Sequence, residues 1–162
     1  MSLPICDMCA KTGVLCNVCE KKLESGNISE IDVEISRILS TCDDADFGFD
    51  RAIELEGAVI ILAKKPDANK LINSGSIINT VSNELCINNV KVISVGSVIE
   101  TIRGLIAPAR VIGVNKVFKK DGSTGQRVRV DIRDKNKIKI EVDELKDLIS
   151  NLSESDVDII FE

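Results

Sequence analysis

From Ser29 onward, Ile31, Ile35, Ile38 and Leu39 recur at helical intervals, and Asp32 stands three residues after Ser29 as in a capping box. A first amphipathic helix is therefore expected, ending near Asp43. Arg51–Glu56 reads as a short strand, and Ala58–Ala63 is an unbroken apolar run of strand length between Gly57 and Pro66. The two should form a hairpin. Leu71, Ile72, Ile78, Val81 and Leu85 keep helical spacing, but Asn73-Ser74-Gly75-Ser76 interrupts it, which predicts helix, turn, helix. Val90–Val95 closes the unit as a strand, giving the order α-β-β-α-α-β.

The second half repeats this order with little identity. Val98, Ile99, Ile102, Leu105 and Ile106 form a helical stripe stopped by Pro108, which disfavours helical backbone at the residue before it. Val111–Phe118 and Gln126–Ile132 read as strands around a turn containing Asp121-Gly122, a hairpin signal. Leu145, Leu148, Ile149 and Leu152 place a helix at about 142–152, and Val157, Ile159 and Phe161 alternate into a last strand. Asp134–Ile140, where the first unit has its paired helices, reads poorly as a helix.

Composition narrows the chemistry. The 162 residues include no histidine, tryptophan or tyrosine and only four phenylalanines. Ser-His and Cys-His catalytic pairs are thus excluded, and base-stacking platforms lack material. No phosphate loop is present, and an enzyme is not expected. No apolar run approaches the roughly 20 residues of a membrane span, and no basic, hydrophobic signal opens the chain, so a cytoplasmic protein is expected.

Cysteine is the most informative residue type. Cys6, Cys9, Cys16 and Cys19 form Cys-x2-Cys-x6-Cys-x2-Cys, and two such pairs supply the four thiolates of a closed tetrahedral zinc site. The short gap predicts a compact knuckle of two turns over residues 1–26, with Gly13 helping the chain reverse. Too few apolar residues lie there for a core, so the metal would supply its folding free energy. Four sulfurs leave no open position, which makes one structural zinc ion the expected cofactor. Two disulfides, a redox pair and an iron–sulfur cluster are the alternatives. Cys42 and Cys86 read as ordinary buried thiols. Asp43, Asp44 and Asp46 could in principle hold a hard cation, although an acidic loop in water is commoner.

The net charge is −5, yet it is unevenly spread. Residues 26–56 and 140–162 each balance to −7, whereas residues 103–139 carry eleven basic side chains against three acids. A basic segment inside an acidic protein suits a phosphate backbone, and a solvated surface is its bland counterpart.

An α-β-β-α-α-β unit of this size resembles the type II KH domain, in which a G-x-x-G turn between the middle helices holds about four nucleotides. The equivalent stretch is Lys70-Leu71-Ile72-Asn73-Ser74-Gly75-Ser76-Ile77-Ile78, with Asn73 and Ser76 replacing the outer glycines. Asparagine tolerates positive φ, so the turn can form. With the knuckle, the stretch Leu105–Val114, Asp121-Gly122-Ser123-Thr124 followed by Val128-Arg129-Val130, and the ending Val157–Glu162, nearly the whole chain is similar to archaeal NusA-like KH proteins bearing an N-terminal four-cysteine zinc knuckle. The second unit departs, with Asp134-Lys135-Asn136-Lys137 in the place of G-x-x-G.

The resemblance implies an α+β chain of a zinc knuckle (1–26) and two tandem type II KH-like units (27–96 and 97–162), the second degenerate. It implies a non-catalytic RNA-binding protein of transcription elongation or termination, with single-stranded RNA as partner and neither a membrane nor a small-molecule substrate. Expected phosphate contacts are Lys116, Lys119, Lys120, Arg127, Arg129, Arg133, Lys135 and Lys137, with weaker help from Lys64, Lys65, Lys70 and the turn Asn73, Ser74, Gly75 and Ser76. The competing expectation is an adaptor docking on RNA polymerase, a ribosomal subunit or another RNA-protein assembly.

Overall fold

A computed structural model of the chain describes residues 3–42, 48–138, 140–153 and 155–162. It is an α+β structure of two compact units, Met1–Val95 and Gly96–Glu162, each built on a three-stranded sheet. The acidic triplet Asp43, Asp44 and Asp46 lies outside the described residues.

The first unit opens with two short helices, α1 (Asp7–Thr12) and α2 (Asn17–Glu24), followed by α3 (Glu30–Ser40). Then come β1 (Arg51–Leu55), β2 (Ala58–Lys64), α4 (Lys65–Asn73), α5 (Gly75–Leu85) and β3 (Asn89–Val95). The central strand β2 is antiparallel to β1 and parallel to β3. Parallel neighbours need a crossover, and α4 and α5 provide it. Ala58–Ala63 is buried throughout, the reason this strand is an apolar run rather than an alternation. Its residues Val59, Ile61 and Ala63 join Ile35, Leu39, Ala68, Leu71 and Val81 from the helices in one core.

Helix α3 begins with the expected capping box. Asp32 does more than cap: one carboxylate oxygen accepts from the Ser29 amide at 2.9 Å and the other from the Ala52 amide at 2.6 Å. A single buried carboxylate thus ties the helix start to β1. Two expectations change. Helix α3 stops at Ser40 rather than near Asp43, and Cys86 is exposed, capping α5 at φ 55° in the left-handed region. Cys42 is half-buried against the core.

The second unit comprises α6 (Val98–Ile106), β4 (Val111–Phe118), β5 (Thr124–Val130), a 3₁₀ turn (Ile132–Lys137), α7 (Val142–Ser153) and β6 (Asp156–Phe161). Its sheet repeats the first topology: β5 is central, antiparallel to β4 and parallel to β6. Val128 and Val130 of β5 are buried, as are Ile102, Leu105 and Ile106 of α6, Leu145, Leu148 and Ile149 of α7, and Val157 and Ile159 of β6. Where the first unit has two crossover helices, this one has the 3₁₀ turn and α7. The turn is pinned at its start and middle, since the Asp131 carboxylate accepts from the Arg133 amide at 3.0 Å and buried Asp134 accepts from the Arg110 amide at 3.0 Å. Among the described residues no helix is long and apolar enough to cross a membrane.

Candidate metal centre and nucleic-acid interface

In the knuckle each Cys-x2-Cys pair starts a helix rather than a bare turn. Cys6 and Cys16 are the N-caps of α1 and α2, and Cys9 and Cys19 occupy the third helical position. That geometry aims both sulfurs of a pair off the helix start, where backbone amides favour negative charge. The pairs also interlock: the Cys6 amide donates to Cys19 Sγ at 3.5 Å, and the Cys16 amide donates to Cys9 Sγ at 3.1 Å. Gly13, at φ 77°, ends α1 in the left-handed region and lets the chain return to Cys16, with the Arg37 guanidinium 3.0 Å from where a β-carbon would stand.

The four sulfurs lie within 4.8 Å of one another. They can hold a metal ion, and the set is consistent with zinc, whose bonds to sulfur of about 2.3 Å place tetrahedral ligands just under 4 Å apart. Without a cation the sulfurs conflict. The hydrogen bond with Cys6 pushes the Cys9 thiol up to about 12, whereas the Cys19 backbone amide helps bring Cys16 down to about 6. A divalent ion held by Cys6, Cys9, Cys16 and Cys19 would favour the thiolate form of all four. The knuckle does not stand alone. Ile5, Cys9, Ala10, Cys19 and Ile28 form a small cluster extended by Val33 of α3, and the Ser40 hydroxyl donates to the Ala10 carbonyl at 2.9 Å.

The second candidate is the junction of α4 and α5. Ser74 serves both as C-cap of the first helix and N-cap of the second, at φ −96°. No residue from Asn73 to Ser76 has positive φ, so the turn does not use the tolerance expected of Asn73. What Gly75 supplies is access: a β-carbon there would meet nothing within 4 Å. Asn73, Gly75 and Ser76 are exposed, and the first turn of α5 carries no acid. Lys64 and Lys65 at the start of α4 and Lys70 in its last turn are exposed, and Lys64 and Lys65 make no ion pair with a described residue.

The basic segment of the second unit is folded against acids. Lys119 pairs with Asp156. Arg127 meets Asp158 at 3.9 Å, Arg129 meets Glu162 at 3.6 Å, Arg133 meets Asp131 at 2.8 Å, and Lys137 meets Asp134 at 2.8 Å. Strand register causes the first two of these four: Arg127 stands directly opposite Asp158 across β5 and β6, and Glu162 follows on the same face. Lys116 lies over the Phe118 ring at 5.8 Å, Lys135 over the Phe161 ring at 5.2 Å, and Lys120 is exposed at the hairpin tip. So five of the eight cations expected to meet phosphate have a carboxylate partner, contrary to the picture of an uncompensated basic segment. Sequence reasoning missed Arg110, whose exposed guanidinium stands 3.8 Å from Asp134. A cation so close to the chain reversal after Pro108 was the available signal.

No family model matches the chain, and no curated protein matches it. Among solved structures, the crystal structure of APE1850 is similar to it with a TM-score of 0.54 and 17% sequence identity, over 70% of this chain and 86% of that one. At that identity the likeness concerns the fold alone.

Proposed function

We propose that this protein is a non-catalytic, single-stranded RNA-binding module of tandem KH type, stabilised by one structural zinc ion and acting in transcription elongation or termination or in RNA metabolism. The observation that carries the reading is the α4–α5 junction. An exposed turn with open space at Gly75 and an acid-free helix start form a place where a sugar-phosphate chain can approach backbone amides closely, and Lys64 and Lys65 are exposed at the opposite end of α4. The second unit repeats the sheet topology but substitutes the 3₁₀ turn for this junction, in keeping with a degenerate KH-like partner. Zinc takes its place by fit: four sulfurs complete its coordination and leave no site for substrate.

Ser74→Asp tests the junction. Aspartate caps α5 as well as serine does and suits its N-terminal dipole, which offsets the unfavourable place of its charge at the C-terminus of α4, so folding changes little while the added charge repels phosphate. The expected result is an unchanged thermal midpoint with weaker binding of labelled oligouridylate. Unchanged RNA affinity contradicts a role for the turn.

One observation favours docking on a protein assembly as a second reading. Met8, Val14 and Val18 of the knuckle are largely exposed, the first and last at matching positions within the two cysteine pairs. Exposed apolar side chains of this size suit a protein partner such as RNA polymerase or a ribosomal subunit. Pull-down after nuclease treatment separates the readings, because a protein-held complex survives loss of RNA.

A further inference from the structure

We propose that the second unit holds backbone phosphates of single-stranded RNA, one on each of Arg110, Arg133 and Lys137, an outer layer of cations carried by the inward-facing carboxylates of Asp131 and Asp134. The inference rests on the RNA-binding reading and specifies where a unit lacking the glycine turn would take its share of the strand.

The ion pairs of this unit divide into two kinds. On the β5–β6 face the acid is the more exposed member of every pair: 72% for Asp156 against 41% for Lys119, 53% for Asp158 against 47% for Arg127, and 46% for Glu162 against 36% for Arg129. An approaching phosphate meets carboxylates there. Around the 3₁₀ turn the order is reversed. Arg110 and Lys137 are 78% and 52% exposed over Asp134 at 7%, and Arg133 is 82% exposed over Asp131 at 15%. The acids form an inner layer and the cations an outer one, so the surface presented to a ligand is positive although the network beneath is nearly balanced.

The arrangement is also held in place. The Arg110 amide donates to Asp134 and its carbonyl accepts from the Asp131 amide at 3.1 Å. The Arg133 guanidinium grips Asp131 with two nitrogens at 2.8 and 3.1 Å. Three cations over two carboxylates leave one positive charge in excess, and Lys135, over the neighbouring Phe161 ring, adds another. Arginine retains donors after pairing with one carboxylate, so a phosphate can be accepted on the outward side without losing the inner contact. Because the cations are already positioned, little ordering entropy opposes that step.

The test measures affinity of the full, zinc-loaded chain for labelled oligouridylate between about 50 and about 200 mM salt. Each phosphate contact to a single strand contributes about 0.7 to the log–log slope. The triple variant Arg110→Gln, Arg133→Gln, Lys137→Gln should lower the slope by about 2, so that this salt increase costs it about 16-fold less affinity than it costs the wild type. Lys146→Gln, on the face where the acid Asp158 is the more exposed partner, should keep the wild-type slope. Should the triple variant fold poorly by circular dichroism, Arg133→Gln alone, which leaves Asp134 paired, should lower the slope by about 0.7. An unchanged slope in the 3₁₀-turn variants overturns this inference and leaves the RNA reading standing, whereas no RNA binding by the wild type overturns both. Capture of an acidic peptide by the wild type, lost in the variants while RNA affinity stays constant, reassigns the surface to a protein and also overturns it.

Discussion

Asp32 and Asp134 are two buried carboxylates that perform the same task in the two units. Each accepts a backbone amide from a strand segment distant in sequence, Ala52 for Asp32 and Arg110 for Asp134, and so fixes a helical start against its sheet. Removing such a partner leaves an unsatisfied buried amide as well as a cavity. Asp32→Ala should therefore destabilise the first unit by roughly 2–3 kcal/mol in denaturant titration, with Asp32→Asn milder because its carbonyl oxygen can still accept one amide. For Asp134, the hydrogen bond from Lys137, followed by the Arg110 amide, holds the carboxyl below its ordinary range. Asp131 is brought down to about 2, first by the Arg133 guanidinium. A carboxyl whose folded-state pKa is depressed contributes stability that is complete above its unfolded value near 4 and is lost as pH falls through the folded value. Thermal unfolding should thus separate wild type from Asp134→Asn at pH 7, with the gap closing as pH falls below the ordinary carboxyl range. A gap independent of pH would show that the charge of Asp134 contributes nothing.

At the scale of elements, the knuckle leans on its neighbour α3 and carries four sulfurs that can hold a metal. Its apolar cluster is small and leans on Val33 of α3, so chelation should unravel α1 and α2 while the sheet and helices of the first unit persist. Amide exchange followed by mass spectrometry checks this, with protection lost over residues 5–24 and kept over β2; loss across the entire first unit would mean that the metal supports its whole core. Strand and helix order was legible in the sequence because apolar periodicity and capping signals are local, as at Ser29 and in the run Ala58–Ala63. The start of α1 at Cys6 was not, since a six-residue helix held by sulfur ligands carries no periodicity. The 3₁₀ turn was likewise hidden, because Asp134 is buried by contacts with Arg110, 24 residues away. The cysteine cluster was readable from spacing alone, whereas Arg127 opposite Asp158 depends on a register that only the folded sheet sets.

For the whole molecule, net charge and even segment charge are poor guides to the field a ligand meets. The eleven basic side chains of residues 103–139 include five paired members of the expected interface, and which partner lies outermost decides the sign presented. Among the exposed cations two groups stand out: Lys64 and Lys65 at the start of α4, the helix that ends in the junction with α5, and Arg110, Arg133 and Lys137 around the 3₁₀ turn. The central claim is that RNA is held at these two places. Ultraviolet crosslinking of the zinc-loaded chain to single-stranded RNA, with mapping of the attached peptides, tests it most directly. Crosslinks should fall on peptides spanning Lys64–Ile78 and on those containing Arg110 or Ile132–Lys137. Crosslinks confined to the knuckle or to the β5–β6 face, or no crosslinks at all, would contradict the account.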